Sequence, residues 1–505
     1  MSQGSRGRRA AVVGIDAGTS VVKAVVLGHD GAQLGIGRVP VAVAHGSSGR
    51  SEQDMDAVWE AVAEAVREGL AQAAAAAGDV GVTAVGVTGQ GDGAWLVDGG
   101  GRPCGPAVLW SDGRAAARGA AWEEDGRAKL LREMTGSMLF PGLLPVLLEE
   151  LAVSSPSRVA GAAYHLNCKD WIRFRLTGEI ATDASEASRT YGALGGAGYS
   201  RTLLEGLGHE RFRPLLPGVL GPGEAAGRVT EEAGRATGLP AGVPVATGML
   251  DSAAAGIGLG ALEPGDGFAV IGTTAFVGRV HASAGAGAGA DRTSNSLALG
   301  LGRSVLECLS SMTGAPNLDW ARATLGVSLD AAEELAAAVP PGAGGVRYLP
   351  YGSPSGERAP FVDPAASAAW LGLDVRTSPG QLLRAVYEGL ACAIRECLDA
   401  LGAGSTLRLA GGVAGSALLC QVIADVTGRT VLPSAAAEPG ARGVAALGLA
   451  AAGWRLGDAA EALGGRMGAV APDPGRREGY ERQYAGFVSV RDAVRPHWPE
   501  LRAAR

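Results

Sequence analysis

The sequence predicts an α/β protein made of two linked halves, and three observations carry that expectation. Apolar runs of strand length alternate with amphipathic stretches of helical period along the 505 residues. The stretch "VVGIDAGTSVVKAVVLG" (12–28) is echoed in the second half by "GFAVIGTTAFVGRV" (267–280), each an apolar run, a glycine–hydroxyl turn and a second apolar run. A chain of this length also exceeds what one hydrophobic core supports.

Taken in order, the first element is a strand expected to break at Asp16, since aspartate is depleted from strands and a carboxylate among apolar neighbours needs a partner. "DMDAVWEAVAEAVREGL" places Val58, Val62, Val66 and Leu70 on one helical stripe. "VTAVGVTGQ" reads as a strand ending in a glycine turn, and "CKDWIRFRLTGE" as a short helix stopped by Gly178. "AGVPVATGMLDSAAAGIGLG" is a strand that becomes a small-residue helix at Asp251. The segment "ASAGAGAGAD" (282–291) is of low complexity and reads as a surface loop. "PGQLLRAVYEGLACAIRECLDALG" is a long helix, "TLRLAGGVAGSALLCQVIADVTG" a strand, Gly-Gly turn and helix, and "EPGARGVAALGLAAAG" a small-residue helix.

Composition excludes several classes. A net charge of −7 argues against nucleic acid as a main partner, which would favour a basic face. The six cysteines lack C-x-x-C spacing, which fits a reducing, cytoplasmic setting and not a zinc site. "MSQGSRGRR" is basic, but Asp16 interrupts the apolar stretch after it, so it makes a poor signal peptide. No run of eighteen apolar residues predicts a membrane span. Lysine occurs only at positions 23, 129 and 169, so arginine supplies nearly all the positive charge.

Three glycine-rich turns could serve chemistry: 16–20, 272–274 and 411–415. Each has an ordinary reading, because tight turns need glycine. The first is either a plain hairpin or a loop whose N–H groups, with Thr19 and Ser20, face a phosphate while Asp16 lies near its metal. Asp251 is either a helix N-cap or a carboxylate placed to accept a proton from a substrate hydroxyl during phosphoryl transfer. Lys23 and Lys169 lie in motif segments of a chain that otherwise avoids lysine, and the ordinary reading of each is an incidental, exposed lysine; Glu388 and Asp425 are expected to be structural. Trp95, Trp110 and Trp320 are expected in the core and not as sugar-stacking platforms.

The ordered segments "GIDAGTSVVKAVV", "TGQGDGAWLVDGGGRPCGPAVLWSDGRA", "KDWIRFRLTGEIATDASEAS", "GMLDSAAAGIGLG", "VIGTTA", "GERAPFVDP", "RAVYEGLA", "LAGGVAGSALLCQVIADVTGR" and "EPGARGVAALGLAAAG" together resemble the FGGY family of carbohydrate kinases over about residues 12–452. The resemblance implies two ribonuclease-H-like domains, of the actin and hexokinase type, around a central cleft; the division falls at 1–256 and 257–505. It implies ATP and Mg²⁺ as cofactors, with Asp16 associated with the metal and Gly18, Thr19 and Ser20 forming a first phosphate loop. Gly272, Thr273 and Thr274 match the second phosphate loop, Gly411, Gly412 and Ser416 the adenosine turn, and Asp251 the general base. Gln90, Gly91, Asp92, Asp112 and Asp251 fall where such kinases meet their sugar. On this resemblance the phosphate-loop reading of Asp16 prevails over the plain hairpin.

The commonest D-xylulose kinases carry Met-His where this chain has "GQGDG", a version that looks more like the L-xylulose and erythritol kinase branches. An extra carboxylate at Asp92 suits a neutral polyol or ketopentose and is expected to repel a sugar acid such as gluconate. Kinases of ribulose or glycerol, and a sugar sensor of the same fold without catalysis, remain alternatives. A DNA-binding repressor has no room for its helix-turn-helix before Ala10, and an actin-like polymer would not need "GQGDG" or "WSDGRA". The expected partners are a small sugar or polyol and ATP; a homodimer is compatible with the chain, whose sequence leaves the oligomeric state open.

Overall fold

In the computed structural model, which describes residues 8–503 apart from Ala197, 283–292 and Arg466, the first strand does not stop on its acid. Strand β1 (Arg9–Ala17) runs through Asp16 and turns over Gly18–Ser20 into β2 (Val21–Gly28). The antiparallel neighbour of Asp16 is Lys23, whose charge offsets only part of the cost of burying the carboxylate. The first half continues with β3 (Gln33–Pro40), helix α1 (Met55–Ala77) and β4 (Val80–Gly89). Asp54 starts α1 by accepting the Asp56 and Ala57 N–H groups, and Val58, Val62 and Val66 face the core as their spacing predicts. After these come α2 (Cys168–Thr177), α3 (Ala184–Thr190), β5 (Ala225–Arg228), β6 (Pro244–Ala246) and α4 (Asp251–Gly258).

The second half contains β7 (Gly267–Ile271), β8 (Ala275–His281), β9 (Asn295–Ala298), β10 (Val305–Ser311) and α5 (Pro316–Thr324). It closes with α6 (Pro379–Leu401), β11 (Thr406–Ala410), α7 (Ala417–Thr427), β12 (Thr430–Pro433) and α8 (Pro439–Ala451). The low-complexity segment at 282–291 falls almost wholly outside the described residues.

The two sheets share one plan. The first has the order β5-β6-β4-β1-β2-β3 and the second β9-β10-β8-β7-β11-β12. In each, three antiparallel strands (β1-β2-β3 and β7-β8-β10) are extended by two strands parallel to the first of them; the sixth strands differ, β5 running antiparallel to β6 in the first sheet and β9 antiparallel to β10 in the second. This is the duplicated architecture that the echoing hairpins predict, of the ribonuclease-H-like kind that the resemblance implies. Each half has its own apolar core, and a smaller one, around Trp122, Leu147 and Tyr191, belongs to the helical segment between β4 and β5.

A further core joins the halves, and it depends on missing side chains. Helix α8 lies on the face of the first sheet so closely that a Cβ on Gly14 would sit 2.0 Å from the Ala441 carbonyl oxygen. One on Gly86 would sit 1.7 Å from that of Val444. The C-terminal segment thus packs backbone-to-backbone on the strands that carry Asp16 and Thr88.

Lys169 is not an incidental exposed lysine: it is fully buried between Asp170 and Asp183 at 2.6 and 2.9 Å. The two acids expected to be structural are enclosed. Glu388 accepts from Arg384, Tyr480 and the Gly342 N–H, and Asp425 from Gln421, Arg476 and the Asp473 N–H. Lys23 pairs with Glu438 at 2.6 Å and so links β2 to the start of α8. Among the described residues no helix is long and apolar enough to cross a membrane.

Candidate active site

Strand ends bring the expected residues together. Because β1 and β4 run parallel, Asp16 lies beside Thr88 and Ala17 beside Gly89, so the turn after β1 and the loop after β4 leave the sheet at the same edge. Within the first turn the Thr19 hydroxyl donates to Gln90 Oε1 at 3.0 Å and accepts from Trp110 Nε1 at 3.0 Å. Gln90 in turn donates to Gln53 Oε1 at 2.7 Å, and Gln53 donates to the Thr19 carbonyl at 2.7 Å. Gln90 was expected to meet the sugar; it is buried, and both ends of its amide brace the turn after β1. Trp110 was expected in the core, yet it is 43% exposed with its indole N–H on Thr19. Ser20 stands exposed beyond the turn.

Asp251 opens α4, and two first-half hydroxyls hold the residues before it. Thr88 donates to the Met249 carbonyl at 2.7 Å, and Ser185 accepts the Leu250 N–H at 2.9 Å. The N-cap position belongs to Leu250, while the Asp251 carboxylate accepts only the next N–H, from Ser252 at 2.6 Å. Asp251 is therefore not the cap of its helix. Water reaches the side chain, but protein surrounds it closely enough that burial pushes it up to about 7; the charges of Asp16 and Asp92 add to the rise and the Ser252 N–H opposes it. Burial likewise pushes Asp16 up to about 6, with Lys23 opposing and Glu438 adding. The N-terminal turn of α8 reaches this acid: a Cβ on Gly440 would lie 3.1 Å from Asp16 Oδ2.

Asp92 follows Gly91 at the rim of the same site, with a left-handed backbone at φ 58°. Its two oxygens accept from Arg189 Nε and Nη2 at 3.2 and 3.1 Å. As a unit this pair is neutral, so the repulsion of sugar acids expected from a lone Asp92 carboxylate is offset. Asp112 departs from its expected place on the sugar. Its side chain is wholly enclosed, accepting from the Ser51 N–H at 2.7 Å and from the Arg114 backbone and guanidinium at 2.8–2.9 Å. It braces the loop that carries Trp110 and leaves no oxygen open.

The second half contributes the other wall. Gly272, Thr273 and Thr274 form the exposed turn from β7 to β8. The parallel partner β11 delivers Gly411 beside it, where a Cβ would sit 2.1 Å from the Ile271 carbonyl oxygen and φ is 97°. Gly412 has open space on its side-chain face. Ser416 caps α7 by accepting the Leu419 N–H and donates to Glu333, so its hydroxyl is committed. Next to Thr273 and Thr274 lies a cavity of about 510 Å³ walled by Met312, Asn317, Trp320 and Tyr348. Trp320, expected in the core, is 49% exposed and stacks on Trp370 at 5.0 Å.

Sequence reasoning missed Gln53, Arg114 and Arg189. Gln53 and Arg189 act through partners distant in the chain that no local motif marks, whereas Arg114 lies in "WSDGRA", two residues from the Asp112 that it holds.

The arrangement offers an aromatic-walled cavity that opens on a hydroxyl-lined turn. The first half offers Asp251, poised to change protonation near neutrality, and Asp16, a carboxylate short of positive charge.

Residues 11–258 match the N-terminal domain, and residues 267–452 the C-terminal domain, of the FGGY family of carbohydrate kinases. An erythritol kinase from Brucella abortus is 33% identical over 98% of this chain and 98% of its own. An L-xylulose/3-keto-L-gulonate kinase from Escherichia coli is 28% identical over 86% of each chain. Among solved structures, a xyloylose kinase from Brucella ovis superposes with a TM-score of 0.83 at 27% identity, covering 96% of this chain and 99% of that one.

Proposed function

Because the chain belongs to the FGGY family of carbohydrate kinases, we propose that it transfers the γ-phosphoryl group of ATP to a hydroxyl of a small polyol or a ketopentose of the xylulose type. The observation that carries this reading is Asp251: a carboxylate held outside its helix cap, beside the Asp92 loop, and raised by burial to about 7. In the reaction the substrate oxygen bonds to the γ-phosphorus, the bond from that phosphorus to the β–γ bridging oxygen breaks, and the hydroxyl proton passes to Asp251. ADP leaves with the bridging oxygen.

Each wall has its part in this reading. The nucleotide occupies the cavity beside Trp320, with the phosphates reaching the Gly272–Thr274 turn, against whose strand Gly411 packs. Gly18, Ser20 and the braced backbone of Thr19 face the phosphates from the first half. Asp92 receives substrate hydroxyls, and Gln90 and Asp112 hold the loops around it. The lobes divide near 256.

Mg²⁺ fits the residues present. The described residues hold no cluster of three His, Cys, Asp or Glu that could hold a metal alone, whereas nucleotide-borne Mg²⁺ needs only one or two carboxylates besides phosphate oxygens. Asp16 would hold it, and the ion would supply charge neutralisation on the phosphates. Six cysteines without disulfides fit a reducing, cytoplasmic compartment.

The 33% identity to an erythritol kinase along the whole chain favours a tetritol within this class. The neutral Asp92–Arg189 pair leaves a sugar acid as the second reading, alongside the 28% identity to an L-xylulose/3-keto-L-gulonate kinase. ADP release with erythritol, L- and D-xylulose, ribulose, glycerol and gluconate tests the proposal. A neutral tetritol or ketopentose should give the highest kcat/KM. Equal, substrate-independent ADP release across the panel would contradict it.

A further inference from the structure

We propose that Arg189 is a positioning residue for sugar recognition, fixing Asp92 in place and tying it through Asn295 to the second half of the molecule. The proposal rests on the kinase reading above. Arg189 Nε and Nη2 take the two Asp92 oxygens, and Nη1 donates to Ser137 Oγ at 2.7 Å and to Asn295 Oδ1 at 3.1 Å. The guanidinium also lies 5.8 Å from the centre of the Phe140 ring. Its side chain is only 6% exposed, so these contacts are sheltered from competing water.

The backbone at Asp92 explains why such a clamp is needed. Asp92 is one of three non-glycine residues with positive φ among the described residues, a region that costs a side-chain-bearing residue free energy unless its surroundings hold it there. A two-pronged arginine–carboxylate pair fixes distance and torsion together, which a single hydrogen bond does not. With both oxygens held from behind, the remaining lone pairs of Asp92 accept substrate hydroxyls at set positions. The charge is balanced, so the site reads hydroxyl geometry and not net charge.

The clamp also crosses between the halves. Asn295 opens β9, the edge strand of the second sheet. Its Oδ1 takes the Met138 N–H at 3.2 Å as well as Arg189, while Ser296 N–H donates to the Gly136 carbonyl at 3.2 Å and Ala298 N–H to Ser188 Oγ at 3.1 Å. The edge strand of one half is thus seated on the helix and loop that position Asp92 in the other. Sugar selectivity therefore depends on a contact that the sugar need not touch.

Steady-state kinetics with the best neutral substrate of wild type tests this, using Asp92→Asn, Arg189→Gln, the double variant, Arg189→Lys and Asn295→Ala. Arg189→Gln should raise the sugar KM roughly 10- to 100-fold, the cost of leaving a sheltered carboxylate unpaired, and keep the ATP KM within about two-fold. The double variant should be no worse than the worse single, because the two side chains act as one unit. Arg189→Lys should recover only part of the loss. Asn295→Ala should raise the sugar KM about three-fold with ATP unaffected, consistent with losing one hydrogen bond. Multiplying effects in the double variant, sugar and ATP KM rising together with a lower Tm, or a wild-type sugar KM in Asn295→Ala would each overturn the proposal. Should Arg189→Gln fail to fold, Arg189→Lys and Asn295→Ala decide. A wild-type enzyme without a substrate in the panel would overturn the kinase reading itself, and this proposal with it.

Discussion

Asp16 titrates below Asp251, and its charge helps to hold the proton on Asp251: burial raises the two to about 6 and about 7, and Asp16 is the largest electrostatic contributor to the higher value. As pH rises the first carboxylate ionises and makes the second harder to ionise. A base must be unprotonated to work, so kcat/KM should climb with pH through an acid limb near 7 and level off above it. In Asp92→Asn, which removes one of the charges raising Asp251, that limb should move to lower pH. A limb near 4, or none between pH 5 and 8, would count against Asp251 as the base.

The same shifts make a stability prediction. Asp251 binds its proton more tightly folded than unfolded, so its contribution is fully present below the ordinary aspartate value near 4. That contribution is lost as pH rises through about 7. Asp251→Asn removes the penalty of a buried charge without changing the shape. Its Tm should exceed that of wild type at pH 8, and the gap should narrow toward pH 4. Thermal scans at the two pH values read this directly; a lower Tm at pH 8 would show the carboxylate to be a structural anchor.

Gly86 is predicted to be intolerant. A Cβ there would meet the Val444 carbonyl carbon and oxygen, which belong to helix backbone and not to a flexible side chain. Gly86→Ala should cost about 1–3 kcal/mol or more in urea unfolding, the range for overpacked cores, whereas Gly479→Ala, on an exposed helix with open space and an ordinary helical backbone, should cost nothing. Equal costs would mean that α8 does not sit on the first sheet as described.

Trp320 is predicted to serve the nucleotide. It is half exposed on the cavity beside Thr273 and Thr274, so Trp320→Ala should raise the ATP KM about ten-fold, in line with the cost of losing an aromatic stacking partner, and leave the sugar KM within two-fold. A change confined to the sugar KM would place the nucleotide elsewhere.

These residues also show what a sequence discloses. The two glycine–hydroxyl turns were legible because glycine and hydroxyl residues between two apolar runs form a local pattern, and the echo between them foretold the duplicated sheet. Asp251 was legible as an acid where a strand becomes a helix. The sequence could not show which way Gln90 and Asp112 turn, since both are adjacent to the site but aim at Thr19, Gln53, Ser51 and Arg114. Arg189 was hidden for a different reason: nearly every cation in this chain is arginine, and its partners lie 97, 52 and 106 residues away. The packing of α8 was masked by abundance, because Gly14 and Gly86 are two of 81 glycines.

The most direct measurement compares wild type with Asp251→Asn for sugar-dependent ADP formation, alongside calorimetric binding of the same sugar. If Asp251 takes the proton of the attacking hydroxyl, kcat should fall by roughly 10²- to 10⁴-fold while the sugar Kd stays within a few-fold. Turnover of the variant close to that of wild type, or loss of sugar binding in step with loss of rate, would contradict the assignment.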